Sequence, residues 1–292
     1  MRTSEWIQIG CAIAFAAAAW GTGLTSRPIP GRRRWIVTGL AAVAVVAVGV
    51  AHLCASFLSR NSFLILLDIL TITLFPIPYW QTGQFFLAPN PRIQSRLEAF
   101  DRWLLPGISS HSGTERNPIG FMLEMAYLSC YPLVPLALTA VYISGLRDKV
   151  DGFWLVLLVS TYLCYAITPF FPALPPRSLG NTGTPPRATK SRRFNLFISN
   201  HVGIHAISFP SAHVAASLGA SLALLQYVRL AGAIFLAITF WIAVAAVVER
   251  YHYTIDVVLG ALVALSVYLA WRAELTPSAL FTAPAISLAA PL

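Results

Sequence analysis

In Phe209-Pro210-Ser211-Ala212-His213, Pro210 cannot continue a helix backwards and Ser211 is a good N-cap. A helix that starts there carries His213 in its first turn, where free backbone N–H groups and the helix dipole favour an anion. Ala212 is small enough for a bulky oxyanion to approach the backbone. Further along, Glu249-Arg250-Tyr251-His252-Tyr253-Thr254-Ile255-Asp256 puts His252 and Asp256 four residues apart, on one helical face. Asp256 can then accept from one ring nitrogen of His252, fix its tautomer and raise the basicity of the other nitrogen. A carboxylate one turn inside an apolar helix is expensive without such a partner. Between these stretches and the preceding apolar run, Pro175-Pro176-Arg177 offers a planar guanidinium fork suited to a phosphate, in a segment stiffened by prolines. Each stretch also has a plainer reading: a helix cap with an incidental histidine, a structural His–Asp pair, and a positive charge flanking an interface.

The elements that must position these residues are apolar helices. The 292 residues are 57% hydrophobic and 11% charged, with a mean hydropathy of +0.69. A soluble domain carries about 25% charged residues, so this chain has too few polar side chains for a water-facing surface. Its hydrophobic residues come in long runs, and in lipid a run of that length is satisfied as a helix. Length and apolarity predict about eight spans: 6–24, 35–58, 62–79, 120–144, 153–169, 211–228, 231–248 and 253–271. The fold class expected is all-α, a polytopic transmembrane bundle. It divides into an N-terminal helix pair (1–60), a membrane core (61–274) and a tail (275–292). Arg2 and Glu5 ahead of a long apolar run read as the start of a retained span, not a cleaved leader. The net charge of +9 lies in the connections between spans and forms no aromatic-interleaved stripe, which excludes nucleic acid as the expected partner. By helix parity most of it shares one face with the motifs, which the positive-inside rule places in the cytoplasm.

Within the polar stretch 85–118, Ile93, Leu97, Phe100 and Leu104 recur at helical spacing, as on an amphipathic helix at a membrane surface or against a partner. In the long connection 171–209, Lys190, Arg192 and Arg193 read as solvated loop charge. Glu124, inside an apolar run, either contacts the site or an incoming hydroxyl, or has a buried structural partner. His205 lies four residues from His201, but no carboxylate or cysteine completes a metal site, so accessory or structural roles are expected and no metal. Cys11, Cys54, Cys130 and Cys164 fall in apolar segments as small hydrophobes. His52, His111 and the Ala/Pro-rich tail receive no role.

Taken together, Pro210-Ser211-Ala212-His213, His252-Tyr253-Thr254-Ile255-Asp256 and Pro175-Pro176-Arg177 resemble the three motifs of the type 2 phosphatidic acid phosphatase superfamily. The Pro-Pro-Arg form is similar to the branch that contains inositol phosphorylceramide synthases, and the His-Tyr-Thr-Ile-Asp string is similar to sphingomyelin synthases. The resemblance covers roughly residues 120–272 and implies a six-helix core to which the first two spans are an addition. It also implies roles. His252 would attack phosphorus, Asp256 would orient it, and His213 would protonate the leaving alkoxide. Arg177, Ser211 and the N–H groups around Ala212 would hold the phosphoryl oxygens, with no cofactor. Three positions depart from the family pattern. The arginine six residues before the motif histidine is Ala246 here, with Arg250 as a substitute. The lysine seven before the motif arginine is Phe170, and Ala212 stands for a glycine. The resemblance implies an extracytoplasmic or luminal site, opposite to the charge rule.

The function expected is hydrolysis of lipid-linked phosphate esters through a phosphohistidine, in a bacterial inner membrane, with lipid phosphate and membrane lipid as partners. Two alternatives stand beside it. One is a lipid headgroup phosphotransferase. The other is a non-catalytic transporter or scaffold in which His252 and Asp256 form a proton relay or structural pair.

Overall fold

The computed structural model describes residues 1–24, 28–106, 118–179 and 189–275; Arg27, His111 and the tail lie outside them. The described residues form helices and connecting turns, with no strand. The helices are α1 (Thr3–Gly21), α2 (Gly31–Leu53), α3 (Arg60–Leu74), α4 (Ile77–Gly83), α5 (Pro91–Leu104), α6 (Pro118–Leu128), α7 (Cys130–Ile143), α8 (Val150–Ile167), α9 (Lys190–His201), α10 (Ala212–Tyr227), α11 (Arg229–Val248) and α12 (Thr254–Leu275).

Five helical segments are long and apolar enough to cross a membrane: Gly31–Phe57, Arg60–Gly83, Arg147–Phe170, Arg229–Val248 and Thr254–Glu274. The bent pair α6–α7 makes a sixth if counted as one span. This composition is compatible with an integral membrane protein. The other two runs of the expected eight are helical but fall short of that test. In α1, Glu5 and Gln8 are buried near the start and lower its hydropathy. With 16 residues, α10 extends about 24 Å, against a hydrocarbon thickness of about 30 Å.

The short helix lies at the centre. α10 packs against α7, α8, α11 and α12, and Ala215, Ala220, Ala223 and Leu224 are fully buried. Phe15, Ala19 and Val37 of α1 and α2 join the same cluster as Phe153, Leu157 and Leu224. Outward faces remain apolar, as at Val46 and Leu53 of α2 or Leu230, Phe240 and Trp241 of α11. With one face apolar for the core and the other apolar for lipid, such helices carry little amphipathic contrast.

Helix breaks shape the end of the bundle that holds the motifs. α6 and α7 meet at 55° around Ser129, where Pro132 has no N–H to continue the ladder. Pro76 separates α3 from α4. α5 is amphipathic as expected, and its inner face, with Gln94 and Leu97 buried, braces the segments that lead to the motifs. Asn90 N–H donates to the Pro172 carbonyl (2.7 Å), Leu174 N–H donates to Gln94 Oε1 (2.8 Å), and Thr254 N–H donates to Asp101 Oδ1 (2.9 Å). Asp101 thereby satisfies an otherwise free N–H at the start of α12.

Candidate active site

His213 comes from the first turn of α10 and His252 from the turn before α12, and close backbone packing brings them together. Ser211 caps α10, its hydroxyl accepting from Val214 N–H at 3.5 Å, as its residue type predicts. The Ser211 N–H donates to the Asp256 carbonyl at 2.8 Å, tying the start of α10 to the first turn of α12. Gly260 permits this approach: a Cβ there would stand well under 3.0 Å from the Ser211 carbonyl oxygen. His252 sits just before α12 in the turn 249–253, where Arg250 has a positive φ of 61°, and its N–H donates to the Ala246 carbonyl (2.9 Å).

The imidazole of His252 is 4% exposed and bonds on both sides. Its Nδ1 lies 3.1 Å from Asp256 Oδ2, and its Nε2 lies 3.3 Å from His213 Nδ1. A carboxylate accepts only, so His252 Nδ1 carries the proton and Nε2 presents a lone pair. The proton between the two rings then belongs to His213 Nδ1. Burial, and then the Arg177 guanidinium, push His252 down to about 3 from its ordinary value. The imidazole is therefore neutral, and its contact with Asp256 is a hydrogen bond to a neutral ring.

Arg177 approaches from the turn Pro176–Ser178. Its backbone N–H donates to the Arg250 carbonyl (3.0 Å), its Nη1 to the Tyr251 carbonyl (3.5 Å), and its Nη2 to Ser199 Oγ of α9. The guanidinium lies over the Tyr251 ring at 5.2 Å. Arg177, His213 and His252 all line one cavity of about 310 Å³.

Tyr251 is the hub behind this cavity, and nothing in the local sequence marked it. One ring face stacks on Tyr127 at 3.8 Å and 4°, its hydroxyl donates to Glu124 Oε2 (2.9 Å), and Arg192 lies 5.0 Å from its ring centre. Arg192, expected as solvated loop charge, is instead 5% exposed. Thr189 caps α9 and turns Arg192 inward, where its Nη1 meets Glu124 Oε1 at 2.7 Å and Glu249 Oε2 at 3.5 Å. Lys190 and Arg193 are exposed, as expected. Asn195 Nδ2 also donates to Glu124 Oε2 (2.6 Å). Glu124 thus has the buried structural partners that were one of its two readings. Burial, and then the neighbouring Glu124 carboxyl, raise Glu249 to about 7.

Other sequence-predicted residues lie apart or are engaged otherwise. The Ala212 N–H donates to Ser208 Oγ (3.2 Å), and the Ser208 hydroxyl donates to the Pro210 carbonyl (3.1 Å). Arg250 opens onto a second cavity, lined also by Glu98, Asp101, Arg102 and Tyr253. The chain alternates across the partition: Arg177, Tyr251 and His252 face the first cavity, Pro176, Arg250 and Tyr253 the second. His205 is exposed and lines a shallow depression with His201 and Trp80. Among the described residues, no group of three His, Cys, Asp or Glu side chains is placed to hold a metal. Ser199, Tyr127 and Tyr131 join the site from other elements, and Ser208 from just ahead of the α10 cap.

No curated protein and no solved structure matches the chain. Residues 95–270, more than half of it, match the family model described as the PAP2 superfamily, and all the motif residues fall inside that range. The chain belongs to the PAP2 superfamily.

Proposed function

We propose that the protein hydrolyses lipid-linked phosphate esters in a membrane, with His252 as nucleophile. Family membership suggests phosphatase-type activity on phosphate esters. The observation that carries the finer reading is the contact of His252 Nε2 with His213 Nδ1 at 3.3 Å, beside Arg177 in one cavity. The phosphoryl group enters between the two rings. The ester enters as its monoanion and passes its proton to His213. The Nε2 lone pair of His252 then forms the N–P bond while the ester P–O bond breaks, and the His213 imidazolium gives that proton to the leaving alkoxide. Asp256 holds the ring and stabilises the positive charge that develops on it. Water then attacks phosphorus, His213 takes its proton, and the N–P bond breaks to release phosphate. Arg177 holds the phosphoryl oxygens as charge spreads over them. Ser211, expected beside it, is instead fully buried as the α10 cap and does not line the cavity, and the Ala212 N–H is taken by Ser208.

An alcohol in place of water gives transfer instead of hydrolysis, and Pro175-Pro176-Arg177 is the feature that favours this second reading. The Ala- and Arg-rich composition supports a bacterial inner membrane as the location. The test is incubation of purified protein in detergent with labelled lipid phosphate, with and without inositol or diacylglycerol. Free phosphate supports hydrolysis and a labelled acceptor supports transfer. No product in either arm, with wild type and His213→Ala alike, leaves the non-catalytic reading.

A further inference from the structure

The cavity that holds the histidines is far larger than one phosphoryl group, and much of its lining is apolar. That part is walled by Ile72, Phe75 and Pro76 from the α3–α4 break and by Val134 and Pro135 of α7. Next to them, the polar atoms of two aromatic residues are already engaged. Tyr79 Oη accepts from Ile204 N–H (2.9 Å), and Trp80 Nε1 donates to the Val202 carbonyl (3.1 Å). The Tyr79 and Trp80 rings thus present apolar surface to the cavity. The α3–α4 wall precedes residue 95 and so lies outside the stretch that matches the family.

We infer that this apolar part is a slot for one alkyl chain of the phosphate ester, and that α3–α4 determines which chains the enzyme accepts. The inference rests on the proposed phosphate-ester reading. The occupant follows from continuity: the slot opens directly onto Arg177, His213 and His252, so a group covalently attached to the reacting phosphate is what reaches it. A polar substituent would lose its hydration against Ile72, Phe75, Val134 and Pro135, which offer no partner. An alkyl chain gains with every methylene it buries.

The test is a series of monoalkyl phosphates from butyl to hexadecyl, assayed on the full-length protein in detergent. Wild-type kcat/KM rises about fourfold per buried methylene and flattens once the slot is full. In Ile72→Trp the dodecyl-to-butyl ratio falls at least tenfold; Val134→Trp, from α7, does the same. Partition of long chains into detergent is common to all three proteins and cancels in the comparison. A ratio equal in wild type and in both folded variants overturns the slot. Should no member of the series release phosphate, the reaction assignment fails by itself. The slot is then read from the Kd values of the same alkyl phosphates, where a dodecyl-to-butyl ratio unmoved by the two variants overturns it.

Discussion

Gly260 of α12 packs against the carbonyl of Ser211 so closely that no Cβ fits between them, and the Ser211 N–H bonds the Asp256 carbonyl at 2.8 Å across the same junction. This contact sets how near the helix start bearing His213 comes to the turn bearing His252. The obstacle to a side chain here is backbone, which cannot rotate away. Gly260→Ala is expected to force the two helix ends apart and destabilise the protein by about 1–3 kcal/mol. Activity is expected to fall further than the melting shift explains, because the bond between the rings is lost. Melting in detergent and phosphate release, measured on the same preparation, check this; a variant with wild-type turnover contradicts it.

Arg192 pairs with two buried carboxyl groups at once, Glu124 and Glu249. Arg192→Met leaves Glu124 and Glu249 facing each other without a counter-charge, and removing one partner of a buried pair costs about 3–5 kcal/mol. The expected outcome is a melting temperature far below wild type. Glu249→Gln, which leaves a single Arg192–Glu124 pair, is expected to be much milder.

The same cluster gives a pH dependence whose sign follows from Glu249. Its pKa is raised in the folded protein to about 7 from an ordinary 4.5. Between these values the folded state binds the extra proton, so the contribution of Glu249 is fully present below 4.5 and is lost as pH rises through 7. His252 acts in the opposite sense. Lowered to about 3, its contribution is present above 6.5 and is lost as pH falls towards 3. Melting curves of wild type and Glu249→Gln from pH 4.5 to 8 separate the two. The variant is expected to lose less stability than wild type towards pH 8, and parallel curves contradict the assignment.

Two arginines compete for the role of phosphate ligand, and the structure puts them in different cavities. Arg177→Ala is expected to lower kcat by about 10²–10³, the usual effect of removing one donor to developing charge. Arg250→Ala is expected to cost less than tenfold. Steady-state kinetics on one lipid phosphate decides between them, and the reverse order would make Arg250 the ligand.

What could be read from sequence was local. The Ser211 cap, the His252–Asp256 spacing and the proline-held Arg177 depend on a few consecutive residues. The cap and the His252–Asp256 contact form, although His252 lies in the turn before α12 and not on its helical face. Apolar runs marked where the helices are, yet not the place of α10: a mostly apolar stretch of sixteen residues looks like a short span until the helices around it are known. Arg192 was misjudged because its partners, Glu124 and Glu249, lie 68 and 57 residues away. A basic residue in a polar connection shows no periodicity that would reveal burial. Tyr251 was missed for the same reason, since its stacking on Tyr127 exists only once the α6–α7 bend brings that helix alongside. Ser199 and the α3–α4 wall were also out of reach, because only tertiary packing brings them to the cavity.

The central claim is that His252 becomes covalently phosphorylated. Rapid quenching of the protein mixed with lipid phosphate labelled at phosphorus, followed by proteolysis under alkaline conditions, tests it most directly. An acid-labile, base-stable label on the peptide that contains His252, absent from His252→Ala and from heat-denatured protein, is the expected result. Turnover without any protein-bound label, or undiminished turnover by His252→Ala, would contradict the account.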